Sequence, residues 1–156
     1  MKLYEKKIKY MERILLIEDD GELAETISEK LYNYSIEEVY SYATAIDAWE
    51  EHKGDFKCII LDLEIPPDGL EDETLKNEYH GIHGILVLEA FCEGKTKEEK
   101  EAIWAKTVVY SAYTEELQGK KIMKNPPGVP KSIPKQAANS ISKLVNTVKE
   151  IIKQKR

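Results

Sequence analysis

Cys58-Ile59-Ile60-Leu61-Asp62-Leu63-Glu64-Ile65-Pro66 is the stretch that decides how this chain folds. Its unbroken apolar run suits a central parallel strand, buried on both faces, better than an alternating surface strand. The run closes on a carboxylate, Asp62. Much earlier, an equally apolar run, Ile14-Leu15-Leu16-Ile17, closes on Glu18-Asp19-Asp20. If the two are neighbouring parallel strands, their C-terminal ends bring three or four carboxylates to one sheet edge, where open α/β sheets bind ligands. Crowded carboxylates repel and raise one another's pKa unless a cation sits among them. Mg²⁺ suits such a place, because it takes oxygen ligands in a small octahedral shell.

Working outward, Leu23, Ile27 and Leu31 recur at helical spacing, so residues 21–32 read as a helix with Glu22 and Glu25 in its first turn. Residues 35–40 read as a second strand. Residues 44–52 form a short helix carrying Ala45, Ala48 and Trp49 inward, and residues 57–63 the third strand. Pro66-Pro67-Asp68-Gly69 breaks the pattern, and the acidic stretch that follows has only Leu70, Leu75 and Tyr79 to anchor it. Ile85, Leu86, Leu88 and Phe91 then mark a helix, residues 94–101 are highly charged, and Ala102-Ile103-Trp104 reads as one more packed turn. Val108-Val109-Tyr110 is the fourth strand, ending at Ser111-Ala112, and Lys121-Ile122-Met123 a short fifth, ending at Lys124. Residues 126–134 hold four of the six prolines and are expected to be neither helix nor central strand. Ile141, Leu144, Val145, Val148, Ile151 and Ile152 give the last helix its apolar stripe. Alternation of this kind specifies an α/β doubly wound five-stranded parallel sheet with helices on both faces.

Composition narrows the function. With 156 residues, 42% hydrophobic and 33% charged, the chain fits one compact domain, residues 12–156, after an N-terminal arm at 1–11. A formal charge of -6 argues against direct nucleic-acid binding, which rests on clustered Lys and Arg. Lys2, Lys6, Lys7 and Lys9, and Lys149, Lys153, Lys155 and Arg156, are read as solvated groups, with docking of an acidic partner as the competing use. Cys58 and Cys92 lack zinc-like spacing and read as buried thiols of a reducing compartment. No charged leader and no apolar run of membrane-spanning length is present, so a cytoplasmic location without membrane contact is expected. His80 and His83 read as surface polar residues rather than a metal pair, and His52 as a helix-end residue.

In order and spacing, Ile14 to Asp20, Ile59 to Pro66, Val108 to Ala112 and Ile122-Met123-Lys124 resemble the receiver domain of two-component response regulators. The likeness covers roughly residues 12–155 and includes the 43-residue interval from Asp19 to Asp62. It implies a flavodoxin-like sheet of order 2-1-3-4-5, with Asp62 the phosphoacceptor. It further implies Asp19 as the direct Mg²⁺ ligand, Glu18 acting largely through a bound water, and Glu64 contributing its backbone carbonyl. Ser111 would be the switch hydroxyl and Lys124 the lysine that pairs with the phosphoryl group. The chemistry is coherent. Mg²⁺ offsets repulsion between a carboxylate nucleophile and an incoming phosphoryl group. A carboxylate also needs no general base to attack phosphorus.

The resemblance therefore implies a signalling receiver that takes its phosphoryl group from a histidine kinase or phosphotransfer protein and changes its protein contacts. A downstream protein is expected, a homodimer stays open, and no turnover of an external metabolite is expected. Two departures accompany it. About 14 extra residues, near 67–83, precede Gly84, which takes the place of a turn glycine. Only 13 positions separate Ser111 from Lys124, so the helix between the fourth and fifth strands is expected to be largely missing. The usual fifth-strand aromatic is absent, since Lys121 takes its place, while Glu64 and Tyr113 hold variable positions that in this family tune phosphoryl loss. A degenerate receiver used as a phosphorylation-independent interaction module is the alternative. A Mg²⁺-dependent phosphohydrolase is a weaker third, because only Glu64 stands where its second Asp belongs.

Overall fold

The computed structural model describes residues 11–114 and 130–154. The elements, in chain order, are β1 (Arg13–Ile17), α1 (Gly21–Lys30), β2 (Ser35–Val39), α2 (Tyr42–Glu51), β3 (Cys58–Leu61) and α3 (Glu73–Glu78). They continue with α4 (Gly84–Cys92), α5 (Lys97–Ala105), β4 (Thr107–Ser111), β5 (Lys131–Pro134) and α6 (Ser140–Lys153). The strands form one parallel sheet in the order β2-β1-β3-β4-β5, the expected doubly wound arrangement.

Alternation along the central strands divides the core into two layers. Leu15, Ile17, Ile59, Leu61 and Val109 pack with α2, α4 and α5 around Phe56, Phe91 and Trp104. Ile14, Leu16, Ile60, Val108 and Tyr110 face the other way, onto Ala24 and Ile27 of α1 and Leu144, Val148 and Ile151 of α6. The apolar runs are continuous because each strand feeds both layers. Register is equally definite: Ile17 lies beside Leu61 and Leu61 beside Val109, so the residues after these positions emerge at one edge.

Two local features differ from expectation. The charged stretch before Trp104 is a nine-residue helix, α5, because Thr96 and Glu99 form a reciprocal capping box that satisfies its first amides. The fifth strand is Lys131–Pro134, inside the proline-rich segment. This is compatible with proline chemistry because β5 is the sheet's edge and pairs only with β4. The strand expected at 121–123, together with Lys121 and Lys124, lies outside the described residues. So does most of the link between β4 and β5. The short spacing that suggested a missing helix there no longer applies, since β5 begins ten residues later than expected.

The insertion is placed by hydrogen bonds at both of its ends and one within it. The Tyr42 amide donates to the Pro66 carbonyl at 3.0 Å, and the Ala43 amide to the Asp68 carbonyl at 2.8 Å, tying its start to α2. Asp72 caps α3 by accepting from the Leu75 amide. At the far end the Gly84 amide donates to the Leu63 carbonyl at 2.8 Å, and a β-carbon on Gly84 would come within 2.8 Å of Leu63 Cα. Only glycine lets α4 start this close to the end of β3.

Candidate functional site

Glu18 and Asp19 follow β1 directly and Asp62 follows β3, so the parallel register delivers all three to one edge. Their carboxylate oxygens lie within 4.8 Å of one another. Glu18 and Asp62 are buried and Asp19 is exposed. Asp20, next in sequence, turns away from this work: its carboxylate accepts from the Leu23 amide and caps α1. Helix capping and ligand-type clustering are therefore divided between adjacent residues.

A lysine does reach the cluster, and it is Lys135. Its Nζ donates to Glu18 Oε1 at 2.7 Å and to Asp62 Oδ2 at 2.9 Å. The Lys135 amide donates to the Ser111 carbonyl at 3.0 Å, which holds the end of β5 against the end of β4. Lys124, the lysine expected here, lies outside the described residues. Lys135 was missed because the strand leading to it, Lys131-Ser132-Ile133-Pro134, holds one buried apolar residue and a proline. The available signal was the pattern of a strand followed at once by lysine, which Ile133-Pro134-Lys135 satisfies once an edge strand is allowed to contain proline. Three positions before Lys135 stands Ser132, so the offset expected to carry an aromatic carries none here either.

The electrostatics follow from burial. Removal from water, then the Asp62 charge, push the Glu18 carboxyl up to about 7 against the opposing Lys135 hydrogen bond. Burial alone would lower the Lys135 pKa, but its hydrogen bonds to Glu18 and Asp62 outweigh this and raise it. The cluster is short of positive charge even with Lys135 in it. All its acidic donors are hard oxygens, so the residues present fit Mg²⁺.

Asp62 is held from both sides. Its Oδ1 accepts from the Glu64 amide at 3.1 Å and its Oδ2 from Lys135. Ser111, fully buried at the end of β4, accepts from the Tyr113 amide at 3.2 Å through its Oγ. The Tyr113 phenol donates to the Glu64 carboxylate, which raises the phenol's pKa. Beside this edge opens a cleft of about 550 Å³, lined by Asp19, Glu64, Ile65, Pro66 and Tyr113 on one side and the insertion's His80, Gly81, Ile82 and His83 on the other. His83 is not the surface residue its sequence suggests: it is 8% exposed, with Nε2 2.9 Å from the Lys76 carbonyl.

No protein-family model matches the chain, and no curated protein matches it. Solved structures do. The receiver domain of HemR from Leptospira biflexa superposes with a TM-score of 0.63 at 22% identity, covering 93% of this chain and 97% of that one. The fold is that of a response-regulator receiver domain. A CheY-like receiver from Methanospirillum hungatei superposes at 0.61 with 17% identity, over 91% of this chain and 94% of its own. The response regulator TrrA from Thermotoga maritima, solved in complex with Mg²⁺-BeF, superposes at 0.59 with 21% identity, over 90% and 99%. No helix among the described residues is long and apolar enough to cross a membrane.

Proposed function

We propose that the chain is a phosphoryl-accepting signalling receiver in which Asp62 takes the phosphoryl group. The observation that carries this reading is Lys135 Nζ bridging Glu18 and Asp62 while Asp19 lies within ligand distance of both carboxylates. A receiver fold alone would not require those side chains to converge.

The roles follow from position. Glu18, Asp19, Asp62 and the Glu64 carbonyl would hold Mg²⁺, whose positive charge, when bound, stabilises the oxygens of the transferring group. Asp62 Oδ2, the oxygen held by Lys135, is the one we assign as nucleophile; Oδ1 is kept aside by the Glu64 amide. After transfer Lys135 stays within reach and neutralises one phosphoryl oxygen as a compact charge on a flexible stem. Ser111 Oγ exchanges its bond from the Tyr113 amide for one to the phosphoryl group, and that local exchange is the signal. The donor is a histidine kinase or phosphotransfer protein, and the output is a changed protein contact in the cytoplasm.

Incubation with Mg²⁺ and acetyl phosphate, followed by intact mass, tests this. The wild type gains one phosphoryl mass and Asp62→Asn gains none. A wild type that binds Mg²⁺ without ever being phosphorylated would favour the alternative, a receiver fold kept as an interaction module.

A further inference from the structure

Lys135 leaves the sheet on a defined face. Leu16, Ile60, Tyr110 and Ile133 all turn toward α1 and α6. Glu18, Asp62 and Lys135 each follow one of these by two positions, so strand alternation carries all three to that same face. Tyr110 stands opposite Ile133 in the parallel register. The Lys135 ammonium lies 5.8 Å from the centroid of the Tyr110 ring, within reach of a cation–π contact. Glu18 and Asp62 hold the same ammonium at 2.7 and 2.9 Å, and the ring meets it from a further direction.

The ring is itself held. Its hydroxyl lies 2.8 Å from Ser140 Oγ at the start of α6, and the pair is buried. Packing between β4 and α6 asks only for an apolar side chain here, and a phenylalanine would serve without needing a partner for an O–H. The hydroxyl adds what packing does not: it fixes the edge of the ring to α6, and so fixes where the face beside Lys135 stands. A lysine charge sits on a flexible four-carbon stem that must be ordered before it can meet an arriving phosphoryl oxygen. A charge set in place beforehand spares the reaction that reorganisation.

Resting on the receiver reading above, we infer that Tyr110 is a positioning residue for phosphoryl transfer: pinned to α6 through Ser140, its ring holds the Lys135 ammonium between Glu18 and Asp62. It acts through Lys135 and exchanges no proton. The bond made remains that from an Asp62 oxygen to phosphorus. The bond broken is that from phosphorus to the donor's leaving group, which keeps the electron pair.

The test times labelling by acetyl phosphate with Mg²⁺, read by intact mass, in a double-mutant cycle of Tyr110→Leu and Lys135→Met. Methionine keeps a stem and removes the charge. With Lys135 present, Tyr110→Leu should slow labelling about two- to tenfold, the range of a cation–π contact. In the Lys135→Met background the same change should alter the rate by less than about 1.5-fold, since no charge is left to position. Tyr110→Phe and Ser140→Ala remove one hydrogen bond from its two sides, and should slow labelling equally and less than Tyr110→Leu does. If Tyr110→Leu fails to fold, Tyr110→Phe takes its place in the cycle. If Lys135→Met labels too slowly to time, the cycle is read on urea unfolding, where losses short of additive support the role and additive losses overturn it. Equal factors in both backgrounds, or a Tyr110→Leu protein labelled at the wild-type rate, overturn the positioning role and leave the receiver reading standing. A wild type that is never labelled overturns both.

Discussion

Lys135 is held by two carboxylates whose side chains are 2% and 5% exposed, so its removal strands charge that water cannot reach. Without a divalent ion, Lys135→Ala is expected to cost about 1–3 kcal/mol in urea unfolding. Mg²⁺ should restore part of it. An unchanged midpoint would mean that the lysine only decorates the site. Glu18 yields a pH prediction. Its carboxyl titrates at about 7 in the folded protein against an ordinary 4.5, so the folded state binds that proton more tightly than the unfolded chain. Stability from this group is complete below about pH 4.5 and is lost as the pH rises through 7. Metal-free protein should therefore unfold at lower urea at pH 8 than at pH 5, by about 2 kcal/mol once solvent screening is allowed for. Glu18→Gln should flatten that difference, and so should Mg²⁺, which favours the ionised form. A Glu18→Gln protein with the same pH slope as wild type would contradict the assignment.

At the scale of elements, the start of α4 is fixed by how closely Gly84 meets β3. Gly84→Ala forces a β-carbon onto Leu63 and is expected to destabilise by about 1–3 kcal/mol, as overpacking does. It should also weaken Mg²⁺ binding, because Leu63 follows Asp62 directly; calorimetric unfolding and a Mg²⁺ titration would show both. Thr96→Ala removes one half of the α5 capping box and should cost about 1 kcal/mol. Elements with a buried stripe or a doubly buried run were legible in the sequence: β1, β3, β4, α1 and α6 each declare their period. Two others were missed. α5 is specified at its start by hydrogen bonds between Thr96 and Glu99 rather than by an apolar face, and β5 is an edge strand with one buried residue, Ile133. The α5 box, Thr96-x-x-Glu99, was there to be read, but β5 owes its form to its neighbour β4, and its own residues carry little of the signal. The same cause misplaced the lysine. The carboxylates were visible because strand ends announce them, whereas Lys135 becomes visible only after β5 has been docked on β4.

Across the molecule, two core layers and a single parallel register converge on one edge, which places groups more than 100 positions apart in sequence, Glu18 and Lys135, in direct contact. That long-range dependence makes the site sensitive to global folding, and it explains why a ligand there should stabilise the whole domain. Mg²⁺ at a hundred times its dissociation constant should raise stability by about 2.7 kcal/mol, while Asp19→Asn, at the exposed ligand, should show little of this gain. The proposed function turns on which atom receives the phosphoryl group. Borohydride reduces an aspartyl phosphate to homoserine, so protein phosphorylated with Mg²⁺ and a small donor can be reduced, digested and sequenced by mass. Homoserine is predicted at position 62 and nowhere else. Homoserine at another acidic position, or a stable phosphoryl group that borohydride leaves untouched, would contradict it.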